Sequence, residues 1–300
     1  MKLHASLLAV SILTTAPLAA SAEAPAEPPP PPYSLPWQLR PAAIANVIRS
    51  DTSIASYEDA TTKKGTFTVA SLITGIYKVT PEFAPFIRVT FVGTEKSGGA
   101  ANPAFGGTYL LKLGHGMRLA AFLGFAIPAG EGGGNTTSKE PGTSVRAGVL
   151  ARSAMDNALF AVNDFTVFPG LDFAYVDHGF TVQVEATTLF LTRVRGDLVQ
   201  KDKSKINLTA ALHAGYFVVP WLSLGAELRY QRWLSTPVAV AADTTGALRD
   251  NLSFAAGPRF HAKLGDGVWL RPGLSYARGL DKPMAGADYN IVQIDVPFLF

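Results

Sequence analysis

The sequence predicts an all-β chain: a transmembrane antiparallel up-and-down β-barrel of about twelve strands, with a short helix in its longest outer loop. Three observations predict it. Apolar residues recur at period two in one segment after another, which is the side-chain repeat of a strand. Short connections built from Gly, Asp and Pro alternate with long polar ones, the pattern of a barrel whose tight turns share one rim. The chain is 48% hydrophobic, yet beyond residue 22 no apolar run approaches the roughly 20 residues of a spanning helix.

The strands follow in order. Ala43–Tyr57 and Gly65–Lys78 come first, where alternation is least regular. In Phe83–Thr94, Ile87, Val89 and Phe91 oppose Arg88 and Thr90. Pro103–Leu113 and Met117–Pro128 flank the turn Gly114-His115-Gly116. Phe165–Val176 meets Phe180–Val194 across Asp177-His178-Gly179; in the latter Phe180, Val182, Val184 and Ala186 oppose Thr181, Gln183, Glu185 and Thr187. Lys205–Phe217 and Leu222–Leu234 flank Pro220, Arg249–Lys263 and Val268–Leu280 flank Gly265-Asp266-Gly267, and Tyr289–Phe300 comes last. The long connection Ala129–Asp164 is composite. Within it the Ala-rich stretch Ser144 to Phe160 reads as a short helix capped by Ser144, lying in the barrel mouth or on its surface. The rival reading is an extra hairpin turning at Asp156-Asn157, which would make fourteen strands.

The N-terminus reads as a secretory signal peptide, 1–22. Lys2 precedes an apolar run starting at Leu7, and Ala20-Ser21-Ala22 supplies small residues for cleavage. A Pro-rich periplasmic linker, 23–40, holds the unbroken prolines Pro28 through Pro32 and reads as a mobile polyproline spacer or a docking site for a periplasmic partner. The barrel is expected over 41–300. With zero Cys there is no disulfide framework. A formal charge of +3 does not point to nucleic acid.

The final strand carries a resemblance. Val292, Ile294, Val296, Phe298 and Phe300 form one apolar face against Gln293, Asp295 and Pro297. Such an aromatic-ended strand resembles the C-terminal assembly signal of bacterial outer-membrane β-barrels. The resemblance implies the outer membrane of a Gram-negative bacterium and contact with lipid, lipopolysaccharide and the barrel-assembly machinery; short turns alternating with long outer loops then put both termini in the periplasm. Asn102-Pro103 with Gly106, Gly107 and Tyr109, then Leu123-Gly124-Phe125-Ala126-Ile127-Pro128, looks like the transporter-like barrels of the MetA pathway of phenol degradation. That likeness implies passage of small organic compounds.

The polar rows list what the lumen offers: basic Arg88, Lys112, Arg118, Arg229, Arg259 and Arg271, acidic Asp172, Glu185, Glu227 and Asp295, and the imidazoles of His213 and His261. These residues either brace the wall as ion pairs or form a selectivity surface. His213 should face Glu227 across the Pro220 hairpin, and His261 should lie near Arg271. The function expected is a channel or transporter-like barrel for small polar or organic solutes. The alternative is a non-conducting structural or adhesive barrel acting through its outer loops, for which Arg195-Gly196-Asp197 is an adhesion-like tripeptide. A lipid hydrolase comes third, because both strand histidines fall on the polar face, away from lipid. No cofactor is expected, and no His/Cys cluster offers metal spacing. Lys201, Lys203 and Lys205 are candidates for meeting anionic headgroups.

Overall fold

A computed structural model describes residues 32–59, 62–135, 140–196 and 202–300. The expected leader, the prolines before Pro32, Asp197 and Lys201 lie outside the described residues.

The strands are β1 (Val47–Glu58), β2 (Gly65–Ile76), β3 (Phe83–Thr94), β4 (Gly98–Ala100), β5 (Ala104–Gly114), β6 (Met117–Ala126), β7 (Asp164–Asp177), β8 (Phe180–Arg193), β9 (Ser204–Val219), β10 (Leu222–Trp233), β11 (Asp250–Phe260), β12 (Ala262–Gly265), β13 (Val268–Leu270), β14 (Gly273–Gly279) and β15 (Asn290–Leu299). Three are short: β4 adds to the edge of β3, and β12 with β13 extends the hairpin between β11 and β14. The remaining twelve pair antiparallel with their neighbours, and β15 returns to β1, from Val47 opposite Leu299 to Ser56 opposite Asn290. The sheet therefore closes, which leaves no unpaired edge.

Period-two alternation sets the two faces. On β15, Gln293 and Asp295 are buried inside, while Val292, Ile294 and Val296 project outward. The same holds on β8, where Thr181, Gln183 and Glu185 point in and Val182 and Val184 point out. Large apolar side chains cover the outside of nearly every strand at about half exposure, far more than a water-soluble monomer presents. A closed barrel with a greasy exterior fits hydrocarbon. No described helix is long and apolar enough to cross a membrane.

Tight turns cluster at one rim, called here the turn end. Both residues of His115-Gly116 and of His178-Gly179 have positive φ (49° and 76°, 46° and 83°), the backbone that a two-residue hairpin requires. Aromatic side chains ring this rim: Tyr109, Phe180 and Tyr216, with Trp221 stacked near Phe260. Their amphipathic rings suit a membrane–water boundary. The longer connections gather at the opposite, loop end. The extra-hairpin reading is overturned: residues 140–160 form helices α1 (Glu140–Ala151) and α2 (Asn157–Phe160), and the barrel keeps twelve long strands. Ser144 is not a cap. It lies inside α1, with its Oγ 2.5 Å from Ser97 Oγ and 3.0 Å from Thr94 Oγ1, tying the helix to the end of β3.

Ile294→Arg places a cation on the outward row of β15. At bilayer mid-depth it should cost about 2–4 kcal/mol, read as a lowered urea midpoint for the barrel refolded in lipid vesicles. Unchanged stability would mean that this row does not face hydrocarbon.

Candidate functional site

The site is the lumen, and two segments of the chain fill it. The first runs through residues 32–46, before β1. Tyr33, Leu35, Trp37 and Leu39 are buried there. This corrects the expected spacer over 23–40: its described part lies inside the barrel. Two prolines, Pro36 and Pro41, keep this stretch out of helix. It has no strand partner, so the wall's side chains satisfy its backbone.

Each expected wall residue has a place in that seat, or does not. Glu227 accepts the amides of Trp37 and Gln38 and is bridged by Arg229 at 2.8 Å. Glu185 accepts both the amide and the guanidinium of Arg40, each at 2.6 Å. Asp295 holds Arg49 at 2.7 Å and Arg259 at 2.5 Å. Arg49 in turn donates to the carbonyls of Pro36 and Trp37, and the Arg259 guanidinium stacks 4.4 Å from the Trp37 ring. Gln183 bridges Asp172 at 2.8 Å and the Arg40 carbonyl at 2.5 Å, while accepting the Tyr33 hydroxyl. Arg271 reaches the Tyr33 carbonyl at 3.4 Å, and Arg118 lies 5.4 Å from the Tyr33 ring. Burial pushes the Tyr33 hydroxyl well above the usual phenol range, so it stays protonated and donates. Lys112 stays exposed at the turn-end rim, opposite Arg118 in register, and takes no part.

His213 does stand across from Glu227, its Nδ1 3.6 Å from Oε1. His261 lies near Arg271, close enough for the guanidinium to act on its ring, and it also meets Ser223, with Nε2 2.8 Å from Oγ, while its ring packs 4.4 Å from Phe217. This Ser–His contact lacks a carboxylate orienter, since His261 Nδ1 finds no partner among the described residues. It lies inside the lumen, not at the lipid face where a membrane-lipid hydrolase would work.

Two glycines make room for the segment. A Cβ on Gly215 would fall 2.2 Å from Ser34 Oγ, and one on Gly273 2.4 Å from the Trp37 ring. Glycine in the middle of a strand otherwise weakens it, so these positions mark close approach. The Gly-rich hairpin acts alike. A Cβ at Gly124 would strike the Phe168 ring at 2.1 Å and one at Gly170 the Phe122 ring at 2.0 Å; Arg40 stacks on both rings, at 5.4 and 4.1 Å.

The second segment enters from the loop end. Between α1 and α2, Ser153 and Ala154 take positive φ (52° and 57°), and the reversal drives Arg152, Ser153 and Asp156 inward. Arg152 pairs with Asp51 of β1 at 2.7 Å and with Asp156 at 3.0 Å; Arg88 of β3 reaches Asp156 at 2.7 Å. Burial works to raise the Asp156 carboxyl, but Arg88 and Arg152 overcome it and hold the group well below the ordinary carboxylate range. Its share of the anchoring therefore survives mild acid. Arg229 and Asn251 add bonds to Ser153, at 3.4 and 3.2 Å. Asn102, from the Asn-Pro pair, donates to the Ala161 carbonyl at 2.8 Å and accepts from the Gly130 amide at 3.0 Å. The two segments meet at Leu39, Met155 and Ala211. Of the loop cations, Arg195 is a clamp, bonding the carbonyls of Pro128 and Gly130 at 2.7 and 2.9 Å, and Lys205 pairs with Asp164 at 2.6 Å. Asp51, Arg152, Asp156 and the Trp37 segment were not foreseen. The one available signal was glycine inside otherwise regular strands, at Gly215, Gly225 and Gly273.

No family model matches the chain, and no curated protein matches it. Among solved structures the chain is similar to a NanC porin, at 7% identity and a TM-score of 0.54, over 84% of this chain and 100% of that one. The likeness is one of fold. A KdgM porin (11% identity, TM-score 0.45, covering 84% and 99%) and the translocator domain of the autotransporter NalP from Neisseria meningitidis (9%, 0.45, 88% and 91%) are more distant. The likeness to the MetA-pathway barrels rests on its hairpin motif alone.

Asp156→Ala leaves Arg88 and Arg152 buried and short of a partner, a change worth about 3–5 kcal/mol. The cost should fall on α1 and α2, which pack through these pairs. Hydrogen exchange should show protection over 144–160 dropping by about two to three orders of magnitude, with β7 to β10 unchanged. Equal loss across the strands would refute a locally anchored plug.

Proposed function

We propose that this chain is an outer-membrane barrel that passes small polar or organic solutes and rests closed, shut by two of its own segments. The turn end faces the periplasm, so residues 32–46 close the inner mouth and the α1–α2 segment the outer one. The observation that carries the reading is the chemistry of the seat. Glu185, Glu227, Thr181 and Arg49 hold the first segment by its backbone amides and carbonyls. Water can take over each of those bonds when the segment leaves, and the side chains left behind line a hydrated passage. A plug packed only through apolar contacts would leave no such lining. Balanced charge in the wall, acidic and basic in alternation, suits polar or neutral solutes rather than one ionic sign. The MetA-like hairpin fits the same reading, as passage of small organic compounds.

A second reading has its own support. Closure from both ends is what a non-conducting structural barrel would show. Planar-bilayer recording separates the two. The native barrel should give small, rare openings, and deletion of 32–44 should give a steady conductance several-fold larger. If both proteins fold, shown by heat-modifiable gel migration, and both stay silent, the structural reading stands and the solute-passing one falls.

A further inference from the structure

A recess lies between the 35–45 segment and the wall formed by β1, β2, β3 and β15. Leu39, Leu72, Ile76 and Phe86 make its sides apolar. Trp37 Nε1 and Arg40 Nε of its lining lack partners among the described residues, but Gln38 is the lining side chain with both a donor and an acceptor unspent. Gln38 is 8% exposed, and neither its Oε1 nor its Nε2 finds a partner among the described residues. The charges around the recess are already used. Arg49 is bound to Asp295, Arg88 to Asp156, and Arg152 to Asp51, all at 2.7 Å.

We infer that this recess is a binding site for a small uncharged amphiphile, an apolar body carrying one hydroxyl. A hydroxyl both donates and accepts, so it can satisfy the Gln38 amide on both atoms, while the body displaces water from the apolar sides. A buried amide without partners costs free energy that such a ligand recovers. A carboxylate or ammonium would shed its own hydration and meet only guanidiniums and carboxylates already paired. The inference deepens the solute-passing reading and rests on it for its biological meaning. Binding is measured separately from conductance, so either can fail alone.

The chain has four tryptophans, and Trp37 lines the recess. Replacing Trp221, Trp233 and Trp269 with Phe leaves Trp37 as sole reporter in barrels held in nanodiscs. Bromine quenches only near contact, and Trp37 is 1% exposed, so probe dissolved in the surrounding lipid stays silent. 8-Bromo-1-octanol should quench Trp37 saturably, with an apparent Kd about tenfold lower than 8-bromooctanoate or 1-bromooctane. Gln38→Leu should erase the preference over 1-bromooctane, and Ala84→Phe, which fills the recess from β3, should remove saturable quenching by all three. Unsaturable quenching, equal affinity for the three probes, preference for the carboxylate, or quenching untouched by Ala84→Phe would each overturn the inference.

Discussion

The structure depends on one constraint: a ring of charged side chains turned into a narrow lumen must find partners, because a buried unpaired charge is costly. Asp295 shows how the constraint is met. It sits on β15, draws Arg49 from β1 and Arg259 from β11, and so closes a charge triangle across the seam of the barrel. The two arginines have donors left over. Arg49 spends them on the Pro36 and Trp37 carbonyls, and Arg259 offers its planar face to the Trp37 ring. Occupation of the lumen is therefore part of the electrostatics of the wall, not an addition to it.

Much of the barrel was legible because its physics is periodic. A side-chain repeat of two says which residues share a face, and a hydrocarbon exterior makes that repeat regular over ten or more residues. The same regularity put His213 opposite Glu227 and set Arg229, Arg259 and Asp295 on the inner row. The plugs follow no period. Residues 32–46 are held by their backbone groups, which every sequence carries, so nothing in the side chains of that stretch announces its destination. Ser144 shows the same limit on a smaller scale: a serine before an Ala-rich run reads as a cap, but the helix begins earlier and the hydroxyl bonds to Ser97. What the strands did carry was the imprint of the plug, in glycines whose missing Cβ leaves space for Ser34 and Trp37.

The two closures are not equivalent. The loop-end segment is covalently tethered at both sides, by β6 and β7, and anchored by Asp156 between two arginines. Among the described residues the turn-end segment is tethered to the barrel only through β1, and its bonds run mostly from wall side chains to its backbone. Release of the first would leave Arg88 without Asp156 and Asp51 without Arg152, two ion pairs broken. Release of the second breaks one ion pair, Arg40 with Glu185, but leaves Glu227 with Arg229, and Asp295 with Arg49 and Arg259, since those pairs lie wholly within the wall. The cheaper opening is thus at residues 32–46.

Cheapness at one end does not make the ends independent. Leu39 of the first segment packs on Met155 of the second over Ala211, and Arg40 stacks on Phe122 and Phe168, close beneath α2. Withdrawing residues 32–46 removes the apolar support under Met155 and the cation from those rings. What remains above is an arginine–carboxylate cluster newly bordered by water, where such pairs are weak, because screening and hydration compete with them. Departure of the inner plug therefore lowers the cost of moving the outer one, and the order follows from which segment breaks fewer ion pairs with the wall when it leaves: inner mouth first, outer mouth second.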